Sequence, residues 1–179
     1  MKKKPFLTLR ETVLFGLIPA IMMGTQIALS ALPNIHLTGV LTVVLTRLFR
    51  TKALIPVYVY VFLMGLYLGF SVWWIPNLYV WTVLWGMAML IPKKIPDRWA
   101  AFVFPTVCSL HGFAYGSIWA LSQPLLTGVP WDGLPEYIAA GIPFDIYHGI
   151  GNLCLGTAIL PLCKAVTKLN EYEFSRKRK

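Results

Sequence analysis

The chain has 179 residues, a net charge of +9, 57% hydrophobic residues and only 13% charged ones. Soluble domains average about 25% charged residues, so the composition largely excludes a water-soluble globule, a disordered tail and a nucleic-acid binder. The length permits one domain, and Cys108, Cys154 and Cys163 offer neither zinc-site spacing nor an even number for disulfides.

Uncharged runs define the predicted elements in chain order. Lys2, Lys3 and Lys4 precede the first run, Thr12–Thr46. A membrane span needs about 20 apolar residues. This run is therefore long enough to cross and return, with Pro33-Asn34 as the turn. Ala28-Leu-Ser-Ala31 mimics a signal-peptide cleavage site, but the apolar stretch exceeds the about 7–15 residues of such a segment. The expectation is an uncleaved first helix. Within it Ala20, Gly24 and Ala28 form a stripe of small residues, extended by Gly16. Such stripes let a second helix approach closely in lipid, and the partner is either internal or a separate subunit. Gly112 and Gly116 make a similar stripe later in the chain.

The second run, Ala53–Pro92, again holds a crossing and a return, with Ile75-Pro76-Asn77 as its turn. Trp99–Trp131 and Tyr137–Cys163, the latter interrupted only by Asp145, each fit one span and a loop. The sum is an all-α membrane protein with a single six-helix transmembrane domain, 1–179. Its spans fall near 12–33, 36–50, 53–73, 77–92, 99–123 and 135–164, and the second is the shortest. With six spans, all 16 lysines and arginines fall on one side and Asp132 and Glu136 on the other. Cytoplasmic loops carry the excess of basic residues, so both termini are expected in the cytoplasm. The basic residues then read as topology determinants beside anionic lipid headgroups, and nucleic acid is not an expected partner.

The opposite side is rich in aromatic residues. Trp73, Trp74, Tyr79 and Trp81 surround the turn between helices 3 and 4, and Trp119, Trp131 and Tyr137 follow. An interfacial belt or core packing accounts for any single one of these residues, with pocket lining as the other reading, since a belt is two-sided and this set is not. Asn77, Trp81 and Trp85 recur every four residues and share a helical face, which suits the wall of a pocket for a flat ring. Asp145 sits inside a span, where an ionisable group costs about 2.5–3.5 kcal/mol and points to function. His148 and Asn152 follow on its face. The trio serves either a ligand or a buried network, with His111 as a partner. His36 is expected near the outer surface and His111 and His148 deeper, and their spacing matches no metal-ligand motif. No metal or other cofactor is expected, and no nucleophile elbow or phosphate loop is present.

The segments Ala31-Leu-Pro-Asn-Ile-His36, Gly69-Phe-Ser-Val-Trp-Trp74, Tyr79-Val-Trp-Thr-Val-Leu84 and Ile142-Pro-Phe-Asp-Ile-Tyr-His-Gly-Ile-Gly-Asn152 together resemble the substrate-binding S components of energy-coupling factor (ECF) transporters. The resemblance spans nearly the whole chain. It implies a non-enzymatic receptor in a bacterial cell membrane that captures a vitamin or related micronutrient outside. It further implies docking on a transmembrane coupling protein and two ATPases. By that resemblance Ala20, Gly24 and Ala28 contact the coupling protein. The substrate set is Asn34, His36, Asn77, Trp81, Trp85, Tyr115, Trp119, Gln123, Asp145, His148 and Asn152, with Asn152 matching a helix-6 asparagine that often touches substrate. Nickel and cobalt relatives carry an N-terminal histidine where Lys2 stands, which argues against a free metal ion as cargo. The absence of basic residues outside disfavours a strongly anionic ligand. The competing readings are a small membrane enzyme using Asp145, His148 and His111 on a lipidic substrate, and a self-sufficient secondary carrier or structural membrane subunit; a carrier would show an internal repeat, and none is visible.

Overall fold

The computed structural model describes residues 5–32 and 34–176, with 169–176 as helical backbone only. Lys2, Lys3, Lys4, Pro33, Lys177, Arg178, Lys179 and the side chain of Arg176 lie outside the described residues. The described chain is all-helical: α1 (Leu9–Ala28), α2 (Thr38–Phe49), a 3₁₀ turn (Arg50–Ala53), α3 (Leu54–Leu68), α4 (Trp74–Met89), α5 (Asp97–Ala120), a short α6 (Gln123–Leu126), α7 (Leu134–Gly156) and α8 (Ile159–Arg176). A second 3₁₀ turn, Trp131–Gly133, leads into α7.

Leu9–Ala28, Thr38–Leu68 and Asp97–Leu126 are long and apolar enough to cross a membrane. A fourth stretch, Trp131–Gly156 with Ile159–Lys168, qualifies if its two bent halves count as one span. The surface fits a lipid environment. Leu17, Phe62, Leu66, Phe102, Leu110 and Ile150 are all exposed, while Thr38, Thr42, Thr46, His111, His148 and Asn152 are buried. Polar groups avoid hydrocarbon by facing inward.

Side-chain contacts give the direction of each helix. Thr38–Leu68 is not straight: it reverses at Arg50, which has φ 52°. Consequently His36, before α2, and Tyr60, inside α3, both pack their rings on Trp81. Tyr58 of α3 meets Thr82 of α4 at 2.7 Å, and Trp74 donates to Val61 O at 2.8 Å, so α3 and α4 run in opposite senses. In α5 and α7, Gly116 pairs with Asp145, Ser109 with Gly149 and Cys108 with Asn152, again in opposite senses. The helices α1, α2, α3, α4, α5 and α7 thus alternate in direction.

One end of the bundle gathers the charges. Thr8 and Glu11 form a capping box at the start of α1, and Glu11 Oε1 reaches Lys52 Nζ at 2.7 Å. Arg47 donates to Lys93 O. Arg50 donates to Met89 O at 2.7 Å and Ile91 O at 3.2 Å, satisfying carbonyls that the end of α4 leaves open. Lys164 pairs with Asp97 at 2.5 Å.

Three boundaries differ from the sequence expectation. The first helix ends at Ala28 instead of near 33, and the chain then winds through turns such as Leu32 N to Leu29 O. Helix 3 ends at Leu68 because Gly69 adopts φ 88°, and helix 4 begins at Trp74, so Pro76 lies in its first turn. The missing N–H costs nothing there, since first-turn donors are unpaired in any case. Finally, the expected helix 135–164 is two helices, α7 and α8, bent by 41°. Pro161 explains the break: its ring opposes the carbonyl of Thr157, four residues earlier. Thr157 and Ala158 instead donate to Cys154 O and Leu155 O in a tighter turn.

Candidate functional site: an aromatic cavity at the cation-free end

Opposite the charged end, the helices part around two adjoining chambers. The smaller, about 170 Å³, is lined by Gln26 of α1, Asn34 and His36, Tyr60, Met64 and Leu68 of α3, Trp73, Asn77 and Trp81, and Tyr115 and Trp119 of α5. The larger, about 310 Å³, is lined by Asn34, Tyr115, Gly116, Trp119, Tyr137, Ile138, Ala140, Gly141, Phe144 and Asp145. Asn34, Tyr115 and Trp119 belong to both.

The walls are fixed by local bonds. Trp81 Nε1 donates to Asn77 Oδ1 at 3.2 Å, one turn earlier, and Asn77 Nδ2 donates to Trp73 O at 3.2 Å. The four-residue spacing of these residues thus produces a bonded ladder along α4. Tyr79 Oη, on the neighbouring face, lies 3.1 Å from Ile118 O and 3.0 Å from Ser122 Oγ, tying α4 to the end of α5. Asn34, in the left-handed region at φ 56°, reaches Phe144 O at 3.4 Å and pins the loop after α1 to α7. Tyr60 Oη lies 3.5 Å from Gln26 Oε1.

Behind the chambers is an imidazole cluster. His36 is buried at the cation-free end, its ring packed 5.1 Å from that of His148 and 5.8 Å from that of Trp81. His148 also lies 4.7 Å from Tyr115 and 6.5 Å from His111. His111 Nε2 bonds Val80 O at 3.0 Å. Among the described residues, both nitrogens of His148 and the Nδ1 atoms of His36 and His111 have no partner. Asp145 does not bond His148; its Oδ1 accepts the Gly116 N–H at 2.8 Å. Asp145, His148 and His111 are thus not linked to one another by hydrogen bonds. Among the described residues no group of three His, Cys, Asp or Glu side chains is placed to hold a metal ion.

Of the residues singled out in the sequence, Asn34, His36, Asn77, Trp81, Tyr115, Trp119 and Asp145 line the chambers. Four do not. Trp85 points to the charged end, where its Nε1 donates to Arg50 O at 3.1 Å. Asn152 ties α7 to Cys108 O at 3.3 Å. His148 stands behind Tyr115 and His36, and Gln123 is buried at the start of α6. Gln26 and Tyr60 were missed: each is a polar group inside an apolar run, the same signal that marked Asp145, and both face inward.

Ala20, Gly24 and Ala28 are exposed, as is Gly16. A Cβ placed on Gly16 or Gly24 would meet nothing within 4 Å. Among the described residues this stripe therefore has no internal partner. A second cleft, about 580 Å³, opens at the charged end between Arg47, Asp97, Cys163, Lys164 and Lys168. It is remote from the aromatic chambers. No protein family, no curated protein and no solved structure matches this chain.

Proposed function

We propose that this chain is the substrate-binding S component of an ECF-type importer in a bacterial cell membrane. It crosses the membrane six times with both termini in the cytoplasm, binds a compact heterocyclic micronutrient from outside, and is not itself an enzyme. The observation that carries this reading is the aromatic, amide-lined cavity at the end of the bundle opposite the lysines and arginines. Cavities of this kind, apolar with a few placed polar groups, are built for small ligands. By the bias of basic residues toward the cytoplasm, the cavity faces the medium.

The exposed stripe Ala20, Gly24 and Ala28 supplies the second half of the reading. Small residues at four-residue spacing permit close helix contact in lipid, and this face is left for a partner. In the proposed cycle that partner is the transmembrane coupling protein, and its two ATPase subunits drive delivery of the ligand inward. The test is affinity purification in mild detergent, followed by mass spectrometry of both protein and small-molecule fractions. The expected result is co-purification with two ATPases and one coupling protein, together with a retained micronutrient-sized compound. Purification with no ATPase, or uptake that continues without one, overturns the proposal.

A further inference from the structure

Among the described residues, the two chambers are lined by a single charged side chain, and it is a carboxylate. Asp145 is 5% exposed and lines the larger chamber beside Tyr115, Trp119, Tyr137 and Phe144. Its Oδ1 accepts the N–H of Gly116 at 2.8 Å, and the backbone N–H of Ser117 also faces the carboxylate. A Cβ at position 116 would lie 2.8 Å from both carboxylate oxygens, so the glycine is what lets Asp145 come this close to α5. Among the described residues no lysine or arginine pairs with it; the two ion pairs, Lys52–Glu11 and Lys164–Asp97, sit at the far end. The first turn of α7, at the same end as the chamber, carries Glu136, and Asp132 precedes it. A buried carboxylate is costly to keep ionised without a cation, and the described residues supply none. The surrounding rings favour the same sign, since aromatic faces attract cations. Tyr115 and Trp119 stand 5.9 Å apart at 31°, forming a continuous aromatic wall.

We infer that the larger chamber takes a compact organic monocation, an ammonium or a quaternised nitrogen ring, with Asp145 as its counter-ion and Tyr115, Trp119 and Tyr137 as its aromatic walls. The inference rests on the receptor reading above and narrows its substrate class. The smaller chamber, with Gln26, Asn34 and Asn77 and no charged lining residue, receives the uncharged remainder of the molecule.

Three probes that share one ring test it in detergent-purified protein: 1-methylnicotinamide, nicotinamide and nicotinate, which are positive, neutral and negative. The cation is expected to bind about tenfold more tightly than the neutral amide, as for a hydrogen bond or pairing with a charged group, and the anion most weakly. Asp145→Asn keeps the size and the acceptor for Gly116, and is expected to bring the cation-to-neutral ratio to about one. Ala140→Lys alters an exposed position on the same chamber wall. Its tethered ammonium is expected to abolish binding of 1-methylnicotinamide while sparing nicotinamide, and this arm stands even if Asp145→Asn does not fold. Equal wild-type affinities, a preference for nicotinate, no binding of the cation, or an unchanged ratio in Asp145→Asn would each overturn the inference. Co-purification with the ATPase module separates the two readings. A chain that carries the module without preferring the cation refutes only the charge class, and one that prefers the cation without any module refutes only the receptor.

Discussion

Two helices carry the same local pattern and use it oppositely. On α5, Gly112 and Gly116 face α7: a Cβ at Gly112 would lie 2.9 Å from the Gly149 Cα, and one at Gly116 would strike Asp145. On α1, Gly16 and Gly24 face nothing within 4 Å. In lipid there is little hydrophobic drive between helices, and close packing through small residues takes its place. A filled stripe is therefore a structural joint, whereas an unfilled one faces lipid unless, as proposed above, a second chain covers it. The spacing of small residues alone does not distinguish the two.

Substitutions sharpen the contrast, beginning with the largest change in stability. Gly112→Leu forces a branched side chain against the backbone of α7, which cannot move aside as a flexible side chain would. We expect a loss of about 3 kcal/mol or more, seen as aggregation on size-exclusion chromatography; a monodisperse variant with unchanged melting would show that α5 and α7 separate easily. Gly116→Ala displaces Asp145 rather than backbone, so about 1–2 kcal/mol is expected. Ligand affinity should fall with it, and unchanged affinity would remove Asp145 from the site. Gly24→Leu should change stability by no more than about 0.5–1 kcal/mol, and in the stabilising direction, because it removes a glycine from an exposed helix interior where an added side chain meets nothing, and it should leave ligand binding intact. Recovery of the coupling protein and uptake should nevertheless fall at least about tenfold, and equal loss of binding would mean that the stripe serves the fold. Gly24→Ala should stabilise α1 by the same about 0.5–1 kcal/mol, and it has the smallest effect overall because uptake should barely change.

Much of the architecture could be read from hydropathy and charge. The helices are where the uncharged runs are, and the lysines and arginines whose contacts are described meet at one end, as at Arg47, Arg50 and Lys52. Boundaries were harder, because proline acts by position. Pro76 looked like a turn and opens α4, whereas Pro161 was passed over and breaks the last helix. The site was partly legible. The Asn77–Trp81 repeat and Asp145 stood out, since amides, indoles and carboxylates are conspicuous among aliphatic residues. Trp85 shares the repeat but sits one turn deeper, where its indole finds Arg50 O. Gln26 lies close in sequence to Asn34 and His36, whereas only the folding-back at Arg50 brings Tyr60 of α3 against the cavity. His36 lies at the cation-free end and lines the smaller chamber, while the bond from Asn34 to Phe144 O, which ties its loop to α7, joins residues 110 apart and leaves no mark in the sequence.

Gln26 gives α1 a double allegiance. Two positions beyond Gly24 on the helix that shows its bare face outward, this amide contributes to the cavity wall and lies 3.5 Å from the Tyr60 hydroxyl. Under the proposed function, a coupling protein that gripped and tilted α1 would shift part of the lining around the cargo, with no relay through the bundle required. Thermodynamic reciprocity then constrains the pair: whatever factor the grip takes from the cargo's affinity, the cargo takes from the grip.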